Sequence, residues 1–222
     1  MSTSPKDCQL IVEHDSLRIE RLVTSGTFEL DGGSWAVENN VWLIGDDHDV
    51  VVIDAPHDDA PILAALGERN VTAVVCTHAH NDHINAAADL GMAAHTPVLL
   101  HGGDDMLWKT VHPEFAYLPL LDEQRIGFAG TELRIIHTPG HSPGSVCAYV
   151  PELGALFSGD TLFAGGPGAT GRSYSDFPAI VASIRQRVLT LPPDTQVFTG
   201  HGEATSVGGE APHLEEWIAR GH

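Results

Sequence analysis

The chain is poor in basic residues, and it contains no long apolar segment. Lysine and arginine together number 11 against 30 aspartates and glutamates, so the formal net charge is −19 with histidine neutral. Because binding to nucleic-acid backbones depends on clustered lysine and arginine, we expect no nucleic-acid partner. No apolar run approaches the roughly 20 residues that a membrane-spanning helix requires, so we expect no membrane partner either.

Cysteine is also scarce. The three cysteines cannot all pair, and two of them, Cys76 and Cys147, lie in apolar runs that are typical of strands. The default state of such a thiol is reduced, buried and inert, which suits a reducing compartment. The first ten residues are polar and do not resemble a secretion signal. We therefore expect a cytoplasmic protein, either a monomer or a homodimer.

Histidine is abundant by contrast, with 14 residues, and the histidines are concentrated in one place. Four groups able to bind a metal ion fall within six positions directly after the strand-like run 71–75: His78, His80, Asp82 and His83. Imidazole and carboxylate ligands suit zinc, iron and manganese. Side chains at alternate positions point in different directions, so one ion cannot bind all four without strain. The pattern therefore predicts two adjacent metal ions.

This stretch resembles the second motif of the metallo-β-lactamase superfamily, and the other motifs of that superfamily follow in the correct order. They contain Asp54 after the apolar run 50–53, His141 in the segment 137–144, Asp160 in 157–161 and His201 in 198–202. The resemblance extends from about residue 20 to about residue 205, which is nearly the whole chain.

The resemblance implies a ligand set for two metal ions. It assigns His78, His80 and His141 to a first site, Asp82, His83 and His201 to a second site, and Asp160 to a bridge between them. The implied cofactor is two Zn²⁺ per chain, with iron or manganese as possible replacements. A hydroxide that bridges the ions is the expected nucleophile, with Asp82 and Asp160 as the carboxylates that surround it.

Asp54 is expected to lie behind the metal ligands. There it would accept a hydrogen bond that orients the ligand turn. The equally good alternative is an aspartate that only caps backbone amides at the end of a strand.

The order of strands and helices predicts one α/β domain over residues 1–222, with residues 1–15 as a loose tail or an edge strand. Each half of the chain carries an apolar strand that ends in aspartate (Asp54, Asp160), then a helix, then a strand that ends in histidine (His78, His201). This repeat predicts two β-rich halves packed face to face, with helices outside and the ligands at one edge. The resemblance implies the same four-layered αβ/βα sandwich.

Apolar periodicity predicts the positions of the main helices and hairpins. We expect helices at 58–69, 84–90, 104–110, 177–191 and 213–220, and hairpins at 125–136 and 145–158. Strands are expected at 17–23 and 36–44, with a break at the glycines 32 and 33 between them.

Departures from other branches of the superfamily narrow the expected reaction. Aspartate rather than cysteine at position 160 argues against a penicillin-type β-lactamase subclass, and histidine rather than glutamate at position 80 argues against the oxygen-reducing diiron branch. The spacing between His141 and Asp160 (160 − 141 = 19) is similar to that of short glyoxalase II-like enzymes, which cleave thioesters of small thiols. We expect this chain to lack the C-terminal helical domain that holds glutathione in full-length glyoxalase II, because few residues follow His201 in the sequence.

A glycine-rich segment after Asp160 bears on the substrate. Residues 165–177 resemble the Gly-Arg-x-Asp-Phe element of short glyoxalase-like proteins and persulfide dioxygenases, with two residues inserted between Arg172 and Asp176. Arg172 is thus a candidate clamp for a carboxylate of the thiol carrier, and Tyr174 a candidate pocket-lining residue. The insertion suggests a carrier other than glutathione. The alternative is a flexible loop in which Asp176 caps the next helix.

The function that these features favour is hydrolysis of a thioester of a low-mass thiol, as in hydroxyacylglutathione hydrolases. The main alternative is a persulfide dioxygenase, in which His78, His141 and Asp160 hold a single ferrous ion. Lactone or β-lactam hydrolysis and a non-enzymatic metal-binding protein are weaker alternatives.

Overall fold

A computed structural model describes residues 8–221, which form two large mixed sheets. The first sheet follows chain order and contains β1 (Cys8–His14), β2 (Leu17–Leu30), β3 (Gly33–Gly45), β4 (Asp49–Ile53), β5 (Asn70–Val75), β6 (Val98–His101) and β7 (Leu118–Leu120). Neighbouring strands are antiparallel from β1 to β4 and parallel from β4 to β7.

The second sheet has six strands. They are β8 (Arg125–Phe128), β9 (Thr131–His137), β10 (Val146–Val150), β11 (Ala155–Gly159) and, after a small two-stranded sheet of β12 (Leu162–Phe163) and β13 (Gly166–Pro167), β14 (Gln196–Thr199) and β15 (Thr205–Ser206). Their spatial order is β15-β14-β11-β10-β9-β8. The β11–β14 pair is parallel, so both strands end at the same edge of the sheet.

Seven helical segments accompany the sheets. They are α1 (Asp59–Leu66), α2 (Asn81–Ile84), α3 (Ala87–Ala93), α4 (Asp105–Val111), α5 (Phe177–Ser183), α6 (Val207–Glu210) and α7 (Leu214–Arg220), and α5 continues into a π-helical turn, Ile184–Val188. Three-residue 3₁₀ turns lie at Gly102–Asp104, Pro151–Leu153 and Ala211–His213. No helix within residues 8–221 has the length and apolar character required to cross a bilayer.

The buried apolar side chains of the described residues form three clusters. One cluster lies between the two sheets, a second between the first sheet and α1 to α4, and a third between the second sheet and α5 and α7. Strand β4 is apolar from Val50 to Ile53 because both of its faces are covered. Val50 and Val52 face the helices, while Val51 and Ile53 face the other sheet. The predicted four-layered αβ/βα sandwich is confirmed.

Residues 8–14 form β1, paired with β2, and this edge strand is one of the two alternatives predicted there, while residues 1–7 lie outside the described part of the chain. Another expectation requires correction. The predicted helix 84–90 is two short helices. Helix α2 already begins at Asn81, and it ends because the Ala86 amide donates to the Ala55 carbonyl instead of continuing the helix.

Strands β2 and β3 are longer than predicted, and their distal part leaves the sheet. They pair from Arg18–Gly45 to Leu30–Gly33, whereas β1 pairs only up to Leu22 and β4 only from Trp42 onward. Residues 23–41 therefore form a two-stranded ribbon that has no further strand partner among residues 8–221, called here the β2–β3 ribbon. Its exposed polar residues hide the strand periodicity in the sequence.

Candidate metal centre

The predicted metal ligands all follow the ends of strands. The turn from His78 to His83 follows β5, His141 lies in the loop after β9, Asp160 follows β11, and His201 follows β14. Because β5 and β14 belong to different sheets packed face to face, the two halves of the sandwich meet at this edge. The structure brings all seven predicted ligands together there.

Three histidines form the first group. The Nδ1 atom of His80 lies 3.0 Å from Nε2 of His78 and 2.9 Å from Nε2 of His141. Nitrogen atoms that bind one tetrahedral zinc ion at about 2.0–2.1 Å lie about 3.3 Å apart. The three ring nitrogens therefore have the spacing of ligands around one ion.

Asp82, His83 and His201 form the second group. The Nε2 atoms of His83 and His201 lie 3.2 Å apart, and Oδ2 of Asp82 lies 3.4 Å from Nε2 of His201 and 3.7 Å from Nε2 of His83. Asp82 and His83 are buried. Asp82 and His83 are adjacent residues in the first turn of α2. Their side chains reach the second group from different directions.

The Asp160 carboxylate lies between the two groups. Its Oδ2 atom is 3.5 Å from Nε2 of His141 in the first group and 3.5 Å from Nε2 of His201 in the second. Its Oδ1 atom is 3.4 Å from Nε2 of His83. Asp160 thus has the position that a bridging ligand requires.

Hydrogen bonds behind the cluster set the orientation of three imidazoles. The ring nitrogen that faces away from the cluster donates to an oxygen that can only accept: His83 Nδ1 to Asp54 Oδ2 at 2.8 Å, His141 Nδ1 to the Ala169 carbonyl at 2.8 Å, and His201 Nδ1 to the Glu38 carbonyl at 2.6 Å. The proton on Nδ1 directs Nε2 of each ring toward the centre, as is usual for metal-binding histidines.

Asp54 serves both of the roles considered for it. Its Oδ1 atom accepts from the Thr77 backbone amide at 2.7 Å, and its Oδ2 atom accepts from the Thr77 hydroxyl at 2.8 Å and from His83. The side chain is buried, and Asp54 has a φ of 61°, which is tolerated better by aspartate than by most residues. Asp54 therefore caps the strand end and orients a predicted ligand at once.

The two groups differ in their protonation. Burial, together with the neighbouring His141, lowers the pKa of His80 to about 3, and burial with His83 holds the pKa of His78 well below its usual value. Burial also opposes the charged form of His83, but the carboxylates of Asp160 and Asp82 outweigh it and raise the pKa of His83 to about 9. His78 and His80 are thus neutral and ready to bind a cation, whereas His83 must release a proton to do so.

The donor atoms fit divalent cations. Oδ1 of Asp82 and Oδ1 of Asp160 are buried and have no hydrogen-bond partner within the described residues. Unsatisfied buried carboxylate oxygens cost free energy, and two of them in one ligand cluster indicate a missing charge partner. His78, His80 and His141 would hold one cation and Asp82, His83 and His201 the other.

A cavity of about 260 Å³ opens from the cluster toward the β2–β3 ribbon. Phe28, Trp35 and Val37 of the ribbon line one side, and Arg172 lines the rim. The Arg172 guanidinium stacks on the Trp35 ring at 3.9 Å from its centroid and forms no ion pair within the described residues. This guanidinium interacts electrostatically with Asp31 and lies beside the predicted metal ligands, where it can also contact an anion.

Tyr174 lies apart from that cavity. It lines a neighbouring cavity of about 240 Å³ together with Leu30 and Leu107, and this second cavity shares only His80 with the first. Tyr174 is 50% exposed and has a φ of 69°. The structure therefore brings Arg172 to the cluster but places Tyr174 outside the cavity that opens from it.

A family model decides the assignment. The model of the metallo-beta-lactamase superfamily matches residues 35–201, well over half of the chain. The chain belongs to the metallo-beta-lactamase superfamily. The predicted membership is thereby confirmed, and the matched segment contains every predicted metal ligand.

Individual members of the superfamily are similar to this chain over most of its length. Hydroxyacylglutathione hydrolase GloC of Haemophilus influenzae is 32% identical over 79% of this chain and 91% of its own length. Hydroxyacylglutathione hydrolase of Aeromonas salmonicida is 34% identical over 74% of this chain but only 61% of its own length. Among solved structures, TTHA1623 in a di-iron-bound form is 34% identical over 79% of this chain and 93% of that chain, with a TM-score of 0.72.

Several residues around the metallo-beta-lactamase site were not predicted from the sequence. The Asn39 amide donates to Asp82 Oδ2 at 3.0 Å, and its oxygen lies 2.8 Å from Nε2 of His57, which must therefore donate. Asp104 is buried and contacts both ligand segments of the first group. The only signal for Asn39 was a polar pair, Asn39 and Asn40, inside an apolar strand; Asp104 and His57 had none.

Proposed function

We propose that the protein is a dinuclear metal-dependent hydrolase that cleaves thioesters of a low-mass thiol. The observation that carries this proposal is the position of Asp160, whose carboxylate lies within 3.5 Å of one histidine from each ligand group. Two adjacent cation sites with a shared carboxylate suit hydrolysis better than chemistry at a single ion. The similarity to hydroxyacylglutathione hydrolases supports thioesters as the substrate class.

The cations would supply a water molecule whose pKa is lowered to about 7 and positive charge for the developing oxyanion. The protein's own residues prepare the site for this chemistry. Asp54 and two backbone carbonyls keep the protons of His83, His141 and His201 on the outer ring nitrogens. Asn39 holds the Asp82 carboxylate. These contacts fix the ligands before cations bind, so little reorganisation is required.

Arg172 is proposed to bind a carboxylate of the thiol carrier. Its guanidinium is held flat against Trp35, and the aromatic face leaves the donors at the edge of the guanidinium available for a bidentate contact. The apolar side chains Phe28, Trp35 and Val37 would exclude water from the rest of the substrate. The preferred substrate is therefore an anionic thioester with an apolar portion.

The first experiment is elemental analysis of protein purified without added metal, followed by thioester hydrolysis assays. We expect about two metal ions per chain and turnover that is lost in His80→Ala and Asp82→Ala. About one iron per chain, with oxygen uptake on a thiol persulfide that survives in Asp82→Ala, would instead establish a persulfide dioxygenase. Zinc, iron or manganese would each satisfy the ligand set, so the analysis also identifies the native metal.

The role of Arg172 has a separate kinetic test. We expect Arg172→Ala to raise KM for the thioester by about tenfold while kcat changes less, because a charge-assisted contact to a remote part of the substrate is lost. Arg185→Ala, which removes a surface arginine paired with Glu215, is the matched control and should leave both constants unchanged. Equal kinetics for Arg172→Ala and the control would remove the carboxylate clamp from the proposal.

A further inference from the structure

The side chain of Asn81 attaches the β2–β3 ribbon to the ligand turn. Its Oδ1 atom accepts from the Glu29 backbone amide at 2.8 Å, and its Nδ2 atom donates to the Thr27 carbonyl at 2.9 Å. Thr27 and Glu29 are alternate residues of β2, so these two backbone groups lie on the same edge of the strand. The side-chain amide of Asn81 therefore forms the kind of hydrogen bonds with the edge of β2 that the backbone of a neighbouring strand would form.

Within the described part of the chain, this edge of β2 has no other strand partner. Pairing with β1 ends at Leu22, and β3 occupies the opposite edge of the ribbon. A two-stranded ribbon alone is marginally stable in water, so its position depends on contacts with the rest of the protein. Asn81 supplies such a contact from the first half of the sandwich, and a hydrogen bond from the Ser173 amide to Asp31 supplies another from the second half.

The residue between the two hydrogen bonds is Phe28, which forms part of the cavity wall. Its ring lies 5.2 Å from the ring of His80 and stacks at 5.6 Å on Trp35, its register partner on β3. Arg172 in turn stacks on Trp35. The two hydrogen bonds of Asn81 thus set the position of Phe28, and through Trp35 the position of the Arg172 guanidinium.

We propose that Asn81 is a positioning residue that sets the shape of the substrate cavity through the β2–β3 ribbon. It occupies the position that the pattern His-x-His-x-Asp-His leaves free, between His80 and Asp82, so the ligand turn itself carries the attachment. The placement of the ribbon is independent of the reaction. Its effect on substrate affinity rests on the proposed thioester hydrolysis.

The first test needs no substrate. Trp35 is 39% exposed, whereas Trp42, Trp108 and Trp217 are at most 3% exposed, so acrylamide quenching of tryptophan fluorescence reports mainly on the ribbon. In Asn81→Ala we expect stronger quenching and exchange of the Glu29 amide hydrogen that is about tenfold faster or more, since the amide loses its acceptor. Metal content should equal that of the wild type, because no predicted ligand changes.

The second test is kinetic. Asn81→Ala should raise the KM for the thioester by about five- to tenfold, with kcat within about twofold, because the cavity wall and Arg172 act on substrate binding. Asn81→Asp keeps an acceptor for Glu29 but loses the donor to Thr27, so it should partly restore slow exchange of the Glu29 amide. Asn70→Ala is the matched control, since Asn70 forms a side-chain hydrogen bond to Asp49 at the surface, and all readouts should stay at wild-type values.

Unchanged quenching and unchanged Glu29 exchange in folded, metal-containing Asn81→Ala would overturn the proposal. Loss of metal with an unaltered ribbon would overturn it as well, since Asn81 would then serve only the ligand turn. If the alanine variant does not fold, Asn81→Asp provides the same measurements. Absence of thioester turnover in the wild type would refute the proposed function, while quenching and exchange would still decide the role of Asn81.

Discussion

At the scale of single residues, the buried carboxylate of Asp104 joins the two segments that carry the first ligand group. Its Oδ2 atom accepts from the Ala79 amide at 2.9 Å and from the Ser142 hydroxyl at 2.7 Å, and its Oδ1 atom accepts from the Gly144 amide at 2.5 Å. Burial raises the pKa of Asp104 despite these hydrogen bonds. The carboxylate thus fixes the position of the turn that carries His78 and His80 relative to the loop that carries His141.

Replacement of Asp104 by asparagine should be costly. The amide nitrogen of the new side chain would face at least one donor, so we expect the free energy of unfolding to fall by about 1–3 kcal/mol. Urea denaturation of the metal-free protein measures this change. Asp105→Asn is the control, because the half-buried Asp105 pairs with the exposed Lys109 and accepts one hydrogen bond from Tyr117, so that its replacement should cost at most about 1 kcal/mol. An equal loss of unfolding free energy in both variants would show that the contacts of Asp104 stabilise the protein no more than those of Asp105.

Gly200 is a second residue whose identity the site requires. A Cβ atom there would lie 2.3 Å from Oδ1 of Asp160 and 2.7 Å from Cε1 of His83. We expect Gly200→Ala to displace the Asp160 carboxylate and to weaken metal binding by about tenfold or more, as for other changes that shift ligands. Competition with a chelator measures this loss. Gly102→Ala, where a Cβ would meet nothing within 4 Å, should bind metal as the wild type does.

At the scale of secondary-structure elements, Asp176 marks the start of α5. Its Oδ1 atom accepts from the Ala179 amide at 2.8 Å, so Asp176 is the N-cap of this helix. The Asp176 amide also donates to the Gly140 carbonyl, next to His141. The helix-cap interpretation is confirmed, whereas the role of Arg172 in the same segment stays a prediction.

Asp176→Ala should therefore affect stability rather than catalysis. We expect a loss of about 1 kcal/mol in the free energy of unfolding, the usual cost of an N-cap, with unchanged KM for the thioester. Thermal and urea unfolding measure the first quantity and steady-state kinetics the second. Asp59→Ala, in the first turn of α1 next to the N-cap Asp58, removes no capping bond and should cost less. A rise in KM for Asp176→Ala would indicate that this residue also contributes to the substrate site.

Elements with strong periodicity were predicted well, and those shaped by tertiary contacts were not. The predicted hairpin at 125–136 corresponds to β8 and β9, and the predicted helix at 104–110 to α4. The break between α2 and α3 arises from a backbone hydrogen bond to Ala55, which no local pattern reveals. The distal part of the β2–β3 ribbon, residues 24–35, escaped prediction because contacts with Asn81 and Arg172, rather than a buried apolar face, hold its tip.

At the scale of the whole molecule, the metal centre makes stability depend on pH. The folded-state pKa of His80 is lowered to about 3, so below pH 6.5 the unfolded chain binds more protons and stability falls as pH falls. The folded-state pKa of His83 is raised to about 9, so its contribution is complete below pH 6.5 and is lost as pH rises toward 9. The metal-free protein should be most stable near pH 6.5.

Thermal unfolding of chelator-treated protein between pH 4 and pH 10 checks this expectation. The melting temperature should pass through a maximum near pH 6.5 and decline on the alkaline side. Added zinc should raise the melting temperature most at alkaline pH, because the cation replaces the protons that His83 has to release. A melting temperature that rises steadily from pH 6.5 to pH 9 in the metal-free protein would contradict the pKa assigned to His83.

The sequence alone determined the fold class and the set of candidate ligands. Strand and helix periodicity is local, and metal binding requires specific residue types at the ends of strands, so both leave a pattern in the chain. The tertiary structure decided what surrounds those ligands. Asn39, Asn81 and Asp104 act through contacts with segments 25 to 54 residues away in the chain. Such contacts leave no periodic trace, because they form only when the two halves of the sandwich and the ribbon pack together.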